Sequence, residues 1–203
     1  MKPIIFSTPM VQAILAGRKT QTRRAIKPQP SWGRVITEQE AFNRKRWLTA
    51  PYRSGAKLYV KETWANISDW ADVDPEVGVF DGYIYKADWE DGTEAPKWRP
   101  SVHMPRGAAR VFLRVTGVRV GRVQDITPGD CLDEGVMNET CYNCLLQAGK
   151  CRPQRDVDIF CGGDDAIIDK YAELWGSLNA KRGYGWDANP WVWVIEFERD
   201  ESQ

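Results

Sequence analysis

The first apolar positions along the chain recur at helical spacing. Val11 and Ile14 lie one turn apart, as on the buried face of an amphipathic helix. Thr8 followed by Pro9 is typical of an N-cap with proline at the first helical position. Gly17 stands where a left-handed residue would end the helix. The pattern predicts a helix that begins at Thr8 and ends at Gly17.

Other apolar runs alternate with the spacing of strands. KLYVKE at 57–62 and RVFLRVTGVRV at 110–120 are two of them. The second changes phase at Gly117, which indicates a bulge that keeps both halves facing one core. The run WVWVIEF at 191–197 is apolar on both faces, as expected of a central strand covered on two sides. YIYKA at 83–87 is a further candidate strand.

Two more helices are predicted between the later strands. TPGDCLDEG at 127–135 repeats the order of cap, proline and terminal glycine. Residues 164–178 carry apolar side chains at helical spacing, from Ile167 to Leu178. Strands interleaved with short helices predict an α+β fold, specifically a small mixed β-barrel with short flanking helices.

The length favours one domain rather than two. The chain has 203 residues, of which 42% are hydrophobic, enough to bury a real core. Residues 28–55 and 66–105 lack clear periodicity and are interpreted as insertions. No apolar run approaches the length of a membrane helix, and the N-terminus lacks the apolar core of a signal peptide. We therefore expect a cytoplasmic protein without a membrane partner.

Charge is balanced over the whole chain but not locally. The formal net charge is +0, from 28 basic and 28 acidic residues, so any attraction to an anion must be local. The segment AGRKTQTRRAIKPQ, residues 16–29, holds five basic side chains and no acid. It leaves the first helix and is predicted to become a strand with Thr20, Thr22 and Arg24 on one face. Such a segment is a solvated surface stretch, a phosphate clamp or part of a reactive centre.

The spacing Gly17-x-Lys19-x-x-Thr22-x-Arg24 resembles the GxKxxTxR signature of the ASCH domain family. SGAKLYVKETW at 54–64, the helix near Glu134 and the final strand resemble further segments of this family. The longer phage and prophage members are the most similar. The resemblance implies a PUA-like β-barrel, here with a Cys-rich insert. One departure lies in the barrel segment, where the family's Gly-Asp is replaced by Gly-Ala in this chain.

The resemblance also implies that the protein recognises RNA or a modified nucleoside. Small bacterial members are amidohydrolases that remove acetyl from the exocyclic amine of acetylcytidine. Their catalytic Lys and Thr match Lys19 and Thr22, and their catalytic Glu matches Glu134. Amide hydrolysis needs a nucleophile, a base and a stabiliser of the developing oxyanion. Thr22 is assigned as the nucleophile, Lys19 as the base and Arg24 as the stabiliser of the oxyanion. Glu134 is assigned as the general acid/base.

Three further residues are predicted to bind substrate. Arg18 and Arg23 occupy variable positions within the signature, and their charge, with that of Arg24, should favour neutral Lys19 as a base. Trp64 is the candidate for stacking on a base, although a tryptophan at such a position also suits a core.

Two other functions stay open at this point. The basic residues could hold the phosphates of single-stranded RNA without catalysis. A ribonuclease is the other alternative, but the chain has a single histidine, His103, which excludes a mechanism with two histidines.

A cluster of cysteines lies in a polar segment at 137–163. Cys141 and Cys144 have the CxxC spacing, and Cys151 and Cys161 follow. Four thiolates match tetrahedral zinc in a closed structural site. Free thiols or an iron-sulfur cluster are the alternatives. Cys131, on the short helix, is interpreted as a small buried residue.

Overall fold

The fold is of the mixed α+β class. The computed structural model describes residues 1–30, 50–69, 82–89, 95–136 and 164–200. Its strands are β1 (Lys2–Ile5), β2 (Gln21–Ala25), β3 (Lys57–Lys61), β4 (Trp64–Asn66), β5 (Tyr83–Tyr85), β6 (Phe112–Arg122) and β7 (Trp191–Arg199). The α-helices in the described residues are α1 (Thr8–Leu15), α2 (Pro128–Asp133) and α3 (Asp164–Asn179), and short 3-10 turns join several elements.

Five strands form one mixed sheet in the order β1-β3-β6-β7-β2. β1 is parallel to β3, whereas β3 with β6 and β2 with β7 are antiparallel. β4 and β5 form a separate antiparallel pair. The strands of the described ranges thus leave β1 and β2 as the two ends of the sheet, without closure into a barrel. The α+β class is confirmed, and the PUA-like barrel stays a prediction.

The chain divides into two compact units. The first takes its described residues from 1–17, 54–116 and 197–203, and the second takes its own from 18–53 and 117–196. Strands β6 and β7 contribute residues to both. The prediction of a single domain with insertions stays a prediction, and residues 31–49, 70–81, 90–94 and 137–163 lie outside the described residues.

Helix α1 confirms the first predicted helix. Pro9 stands in its first turn, and Gly17 has a φ of +70°, the left-handed conformation that lets a helix stop. The N-cap is Ser7, in extended conformation, rather than Thr8. The predicted cap was one residue late because Ser and Thr are both good N-caps and the sequence gives no means of choosing between them.

Strand β6 changes the phase of its buried positions as predicted. Leu113 and Val115 are buried on one side of Gly117, and Val118 is buried on the other. A Cβ at Gly117 would come within 2.7 Å of Glu196 Oε2. Glycine at this position therefore leaves room for the carboxylate on β7.

The core of the second unit packs α2 and α3 against β7. It consists of Val123, Ile126, Cys131, Val136, Ile167, Tyr171, Trp175, Val192 and Val194. The predicted burial of Cys131 is confirmed, and burial raises the pKa of its thiol to about 12. Leu178, assigned to the apolar face of α3, is 48% exposed. That expectation was wrong because Leu178 lies in the last turn of the helix, where periodicity continues but the core does not.

The first unit has its own cluster around a buried ion pair. Arg110 donates from Nε and Nη2 to the two carboxylate oxygens of Glu62 at 3.0 and 3.1 Å, and it also contacts Asp88. Its guanidinium lies 4.0 Å from the ring centroid of Tyr85. Burial raises the pKa of Glu62, against the opposing effect of Arg110. Both oxygens of Glu62 are thus satisfied, which identifies the pair as part of the core.

None of the helices in the described ranges has the length and apolar character needed to cross a bilayer.

Removing core volume on α3 should destabilise the second unit. Ile167→Ala deletes a side chain that is 1% exposed and packs in the core, so we expect a loss of about 2 to 5 kcal/mol in the free energy of unfolding. Leu178→Ala on the same helix should cost less than about 0.5 kcal/mol. Urea unfolding measures both; equal losses would contradict the described packing.

Candidate functional site

Helix α2 places Glu134 at its C-terminal end. Thr127 is the N-cap and accepts a hydrogen bond from the Asp130 amide at 3.1 Å, while Asp130 Oδ2 accepts from the Thr127 amide at 3.2 Å. This reciprocal capping stabilises a helix too short to persist alone. Glu134 is the C-cap, and Gly135 follows with a φ of +82°. The predicted helix and its glycine stop are confirmed.

The basic segment is anchored to the end of α2. The Thr20 amide donates to the Asp133 carbonyl at 2.8 Å, and Thr20 Oγ1 contacts Asp133 Oδ1 at 3.1 Å. The chain then enters β2, where Gln21 faces Glu196 and Thr22 faces Ile195 in the register with β7. These contacts bring Lys19 beside Glu134.

Lys19 and Glu134 form a buried ion pair. Lys19 Nζ donates to Glu134 Oε2 at 2.8 Å, to the Glu134 carbonyl at 2.7 Å and to the Gln21 carbonyl at 2.8 Å. The two residues are 2% and 4% exposed. Three acceptors around one nitrogen match the three donors of an ammonium group. The resting arrangement therefore fits a charged lysine and an ionised glutamate.

Burial lowers the pKa of Lys19 below the usual 10.5, and the positive charges of Arg24 and Arg23 act in the same direction. The charge of Glu134 and its hydrogen bond oppose this shift without cancelling it. An ammonium removed from water is costly even when paired. The neutral amine that a general base requires is consequently easier to reach here than at the surface.

Arg23 links Glu134 to Asp130. Its Nη1 donates to Gln21 Oε1 at 2.6 Å and to Glu134 Oε1 at 3.3 Å, and its Nη2 donates to Asp130 Oδ2 at 2.8 Å. The side chain is 1% exposed. The structure thus places Arg23 inside the protein among acceptors from β2 and α2.

Asp130 connects the buried ion pairs of Lys19, Glu134 and Arg23 to charged side chains at the surface. Its Oδ1 accepts hydrogen bonds from Gln21 Nε2 and Arg119 Nη2, each at 3.1 Å. Arg119 also donates from Nε to Glu196 Oε1 at 3.3 Å. Burial alone would raise the pKa of Asp130, but the hydrogen bond from Gln21 and the charge of Arg23 more than offset it, so the pKa is lowered.

Thr22 and Arg24 complete the signature. Thr22 is buried at 4% exposure, and Arg24 is half-buried. Desolvation lowers the pKa of Arg24, while the charges of Tyr52 and Glu134 act in the opposite direction and that of Arg182 in the same direction. An arginine pKa that falls from so high a value still leaves a cation at neutral pH. Arg24 therefore adds positive charge near Glu134.

The two other predicted substrate-binding residues differ in exposure. Arg18 is exposed. Trp64 belongs to the first unit, where it is 5% exposed, 5.5 Å from the ring of Tyr83 and 5.1 Å from the guanidinium of Arg99. A ring packed in this way serves a core, and the stacking role of Trp64 stays a prediction.

The predicted zinc ligands Cys141, Cys144, Cys151 and Cys161 lie outside the described residues. Within the described ranges, no cluster of at least three His, Cys, Asp or Glu side chains could hold a metal ion. The zinc site stays a prediction.

Comparison with known proteins yields a distant structural likeness. No family model and no curated protein matches the chain. A solved structure of protein EF3133 from Enterococcus faecalis, of the family DUF984, is similar over 92% of this chain and 64% of its own, at 10% identity and a TM-score of 0.40. This chain thus spans less than two thirds of that protein's length. A likeness of this degree carries no argument about function.

Sequence reasoning missed the roles of Gln21, Asp130 and Tyr171. Gln21 and Asp130 accept hydrogen bonds from the two terminal nitrogens of Arg23, and the Arg23 guanidinium lies 5.9 Å from the ring centroid of Tyr171. An aspartate at the third position of a helix with a threonine N-cap is a local sequence signal, and it indicated the capping role of Asp130. Its second role, towards Arg23, required knowledge of which strand packs beside the helix.

The buried pair should show strong energetic coupling. Lys19→Met and Glu134→Leu each leave a charge without its main partner, at a cost of roughly 3 to 5 kcal/mol. The double variant should lose clearly less than the sum of the two, as measured by urea unfolding. The exposed pair Arg119 and Glu196, at 49% and 44% exposure, is the control, with expected coupling of about 0 to 1 kcal/mol. Additive losses at Lys19 and Glu134 would refute the pairing.

Proposed function

We propose that the protein is an amidohydrolase that removes an acyl group from the exocyclic amine of a modified cytidine, within an ASCH domain of PUA-like fold. The observation that carries the proposal is the 2.8 Å contact between Lys19 Nζ and Glu134 Oε2 inside the protein. The signature lysine and the distant glutamate were assigned to one reaction, and their direct contact supports that assignment. Thr22 lies three residues along the same segment and is also buried.

In the proposed reaction, Thr22 Oγ1 attacks the acyl carbonyl carbon. A threonine hydroxyl needs a base to react, and neutral Lys19 accepts its proton. The lowered pKa of Lys19 supports this role. The step forms a tetrahedral oxyanion, whose charge the guanidinium of Arg24 stabilises.

The second half of the reaction breaks the bond between the acyl carbon and the exocyclic nitrogen. The leaving amine takes up a proton, supplied by the pair of Lys19 and Glu134, which shares protons as one unit. Water then hydrolyses the threonine ester, giving the carboxylate and restoring the hydroxyl. Overall, one amide and one water yield one amine and one carboxylic acid.

A second candidate function is binding of single-stranded RNA without catalysis. It is favoured by basic and aromatic side chains of the second unit: Lys27 Nζ lies 5.2 Å from the ring centroid of Tyr184, and exposed Lys181 and Arg182 precede Tyr184. Such groups suit phosphates and bases. A ribonuclease would use the same surface, but no observation favours cleavage.

We also propose that Cys141, Cys144, Cys151 and Cys161 hold one structural zinc ion in a cytoplasmic protein. The support is their spacing and the chemistry of thiolates. Elemental analysis of protein purified without chelator should find about one zinc per chain. Cys141→Ser combined with Cys144→Ser should lose it, whereas Cys131→Ser should retain it. Zinc-free wild-type protein would refute the proposal.

Hydrolysis of acetylcytidine is the direct test of the proposed enzyme. Wild-type protein should release cytidine and acetate, measured by liquid chromatography with mass spectrometry. Thr22→Val, Lys19→Met and Glu134→Gln should each lower the rate about 100-fold or more. Thr22→Ser keeps the hydroxyl and Glu173→Gln alters an exposed carboxylate on α3, so both should retain activity. Full activity in Lys19→Met would refute the mechanism.

The pH dependence follows from the need for neutral Lys19. Below the pKa of Lys19 its ammonium form cannot accept a proton, so the rate should rise with pH and level off above that pKa. Because burial lowers this pKa, the plateau should begin below 10.5. A kcat that does not change between pH 6 and pH 10 would contradict the role of Lys19 as the general base.

The RNA-binding alternative predicts different behaviour. Affinity for a single-stranded oligonucleotide, measured by fluorescence anisotropy, should fall steeply with salt, since phosphate contacts release counterions. Arg182→Ala and Lys27→Ala should reduce the salt dependence, and Glu134→Gln should leave binding intact. Binding without turnover of acetylcytidine would favour this function over hydrolysis.

A further inference from the structure

The strand side of the site contains a buried cation, Arg23, whose two terminal nitrogens are held by neighbouring acceptors. Arg23 is 1% exposed, and its two terminal nitrogens contact Gln21, Glu134 and Asp130 at distances of 2.6 to 3.3 Å. A guanidinium held by three acceptors cannot turn towards a ligand without breaking buried, charge-assisted hydrogen bonds. Arg23 is therefore poorly suited to the substrate-binding role predicted from the sequence.

We propose that Arg23 is a positioning residue, clamped by Asp130, that fixes the carboxylate of Glu134 so that Oε2 faces Lys19. Arg23 occupies Oε1 of Glu134, while Lys19 occupies Oε2. A carboxylate bound at both oxygens by two cations of the segment 19–23 has a defined orientation. The two oxygens of Glu134 thus have different functions: Oε1 is held by Arg23, and Oε2 faces Lys19.

Asp130 is the anchor of this arrangement because it is held from several sides. Its carboxylate accepts hydrogen bonds from Arg23, Gln21, Arg119 and the Thr127 amide. The Thr127 amide belongs to the cap of α2, whose other end carries Glu134. The helix and Arg23 therefore constrain Glu134 from two directions through a single aspartate.

The charges around Lys19 determine how the clamp acts on it. Glu134 and Asp130 face the cluster from α2, Arg23 and Arg24 from β2, and Tyr171 from α3. Burial raises the pKa of Tyr171 well above its usual range, so this phenol is neutral. Removing the charge of Arg23 should raise the pKa of Lys19, since Arg23 opposes its protonation.

The catalytic part of this inference rests on the proposed amidohydrolase function. Two measurements distinguish a failure of the inference from a failure of that function. In Arg23→Gln we expect kcat for acetylcytidine to fall roughly 10- to 100-fold with KM unchanged, and the rising limb of the pH profile to move to higher pH. Arg23→Lys keeps the charge but cannot bridge both carboxylates, so it should lower kcat and leave the pH limb in place.

The second readout needs no activity. Titration of the Lys19 side chain by NMR, assigned by the signal lost in Lys19→Arg, should move to higher pH in Arg23→Gln and stay near wild type in Arg23→Lys. If acetylcytidine is not a substrate, the titration still tests the clamp. An unshifted Lys19 titration in Arg23→Gln would overturn the inference even if hydrolysis is observed.

Matched variants distinguish positioning from simple stability. Asp130→Asn should lower kcat because Arg23 loses its charged anchor, whereas Glu173→Gln, at an exposed position of α3, should not. Thr127→Ala removes the side-chain acceptor of the α2 cap and keeps the backbone amide that Asp130 contacts, so it should lower the melting temperature but leave kcat unchanged. Should Arg23→Gln not fold, Asp130→Asn carries the test. A rise in KM rather than a fall in kcat in either variant would assign Arg23 to the substrate and overturn the proposal.

Discussion

The arrangement of the second unit depends on one constraint, which is that a lysine and a glutamate removed from water must satisfy each other. Isolated burial of either charge would be prohibitive, and pairing alone often fails to recover the cost of desolvation. Here the remaining donors of Lys19 reach two backbone carbonyls, which completes the solvation of the ammonium. The backbone of β2 and the end of α2 must therefore stay in register for the pair to exist at all.

Helix α2 shows how folding and the proposed chemistry share residues. Six residues are too few for a stable isolated helix, so α2 depends on its cap and on the burial of Cys131 in the core. Asp130 serves the cap and Arg23 with the same carboxylate. A substitution there cannot affect one role alone, which is why variants that alter only the cap are needed to separate stability from positioning.

The sequence predicted local elements more successfully than contacts. Proline at the start of α1 and α2 and glycine after each of them defined those helices, because caps depend on neighbouring residues only. Lys19, Thr22 and Glu134 were found through resemblance. The contact between Arg23 and Asp130 spans 107 positions, and no local pattern encodes which carboxylate a basic run will meet. Leu178 shows a second limit of prediction from sequence, because the apolar spacing of a helix can continue beyond the residues that contact the core.

The contacts also explain why so basic a segment can lie inside a neutral protein. Starting from the interior, charges alternate through Lys19, Glu134, Arg23, Asp130, Arg119 and Glu196. The first three side chains of the series are at most 4% exposed, Asp130 is 14% exposed, and Arg119 and Glu196 are 49% and 44% exposed. Each charge thus has an opposite neighbour, and the outermost ones are also solvated. Arg24 adds one more positive charge that acts electrostatically on Glu134, and the proposed stabilisation of an oxyanion depends on that charge.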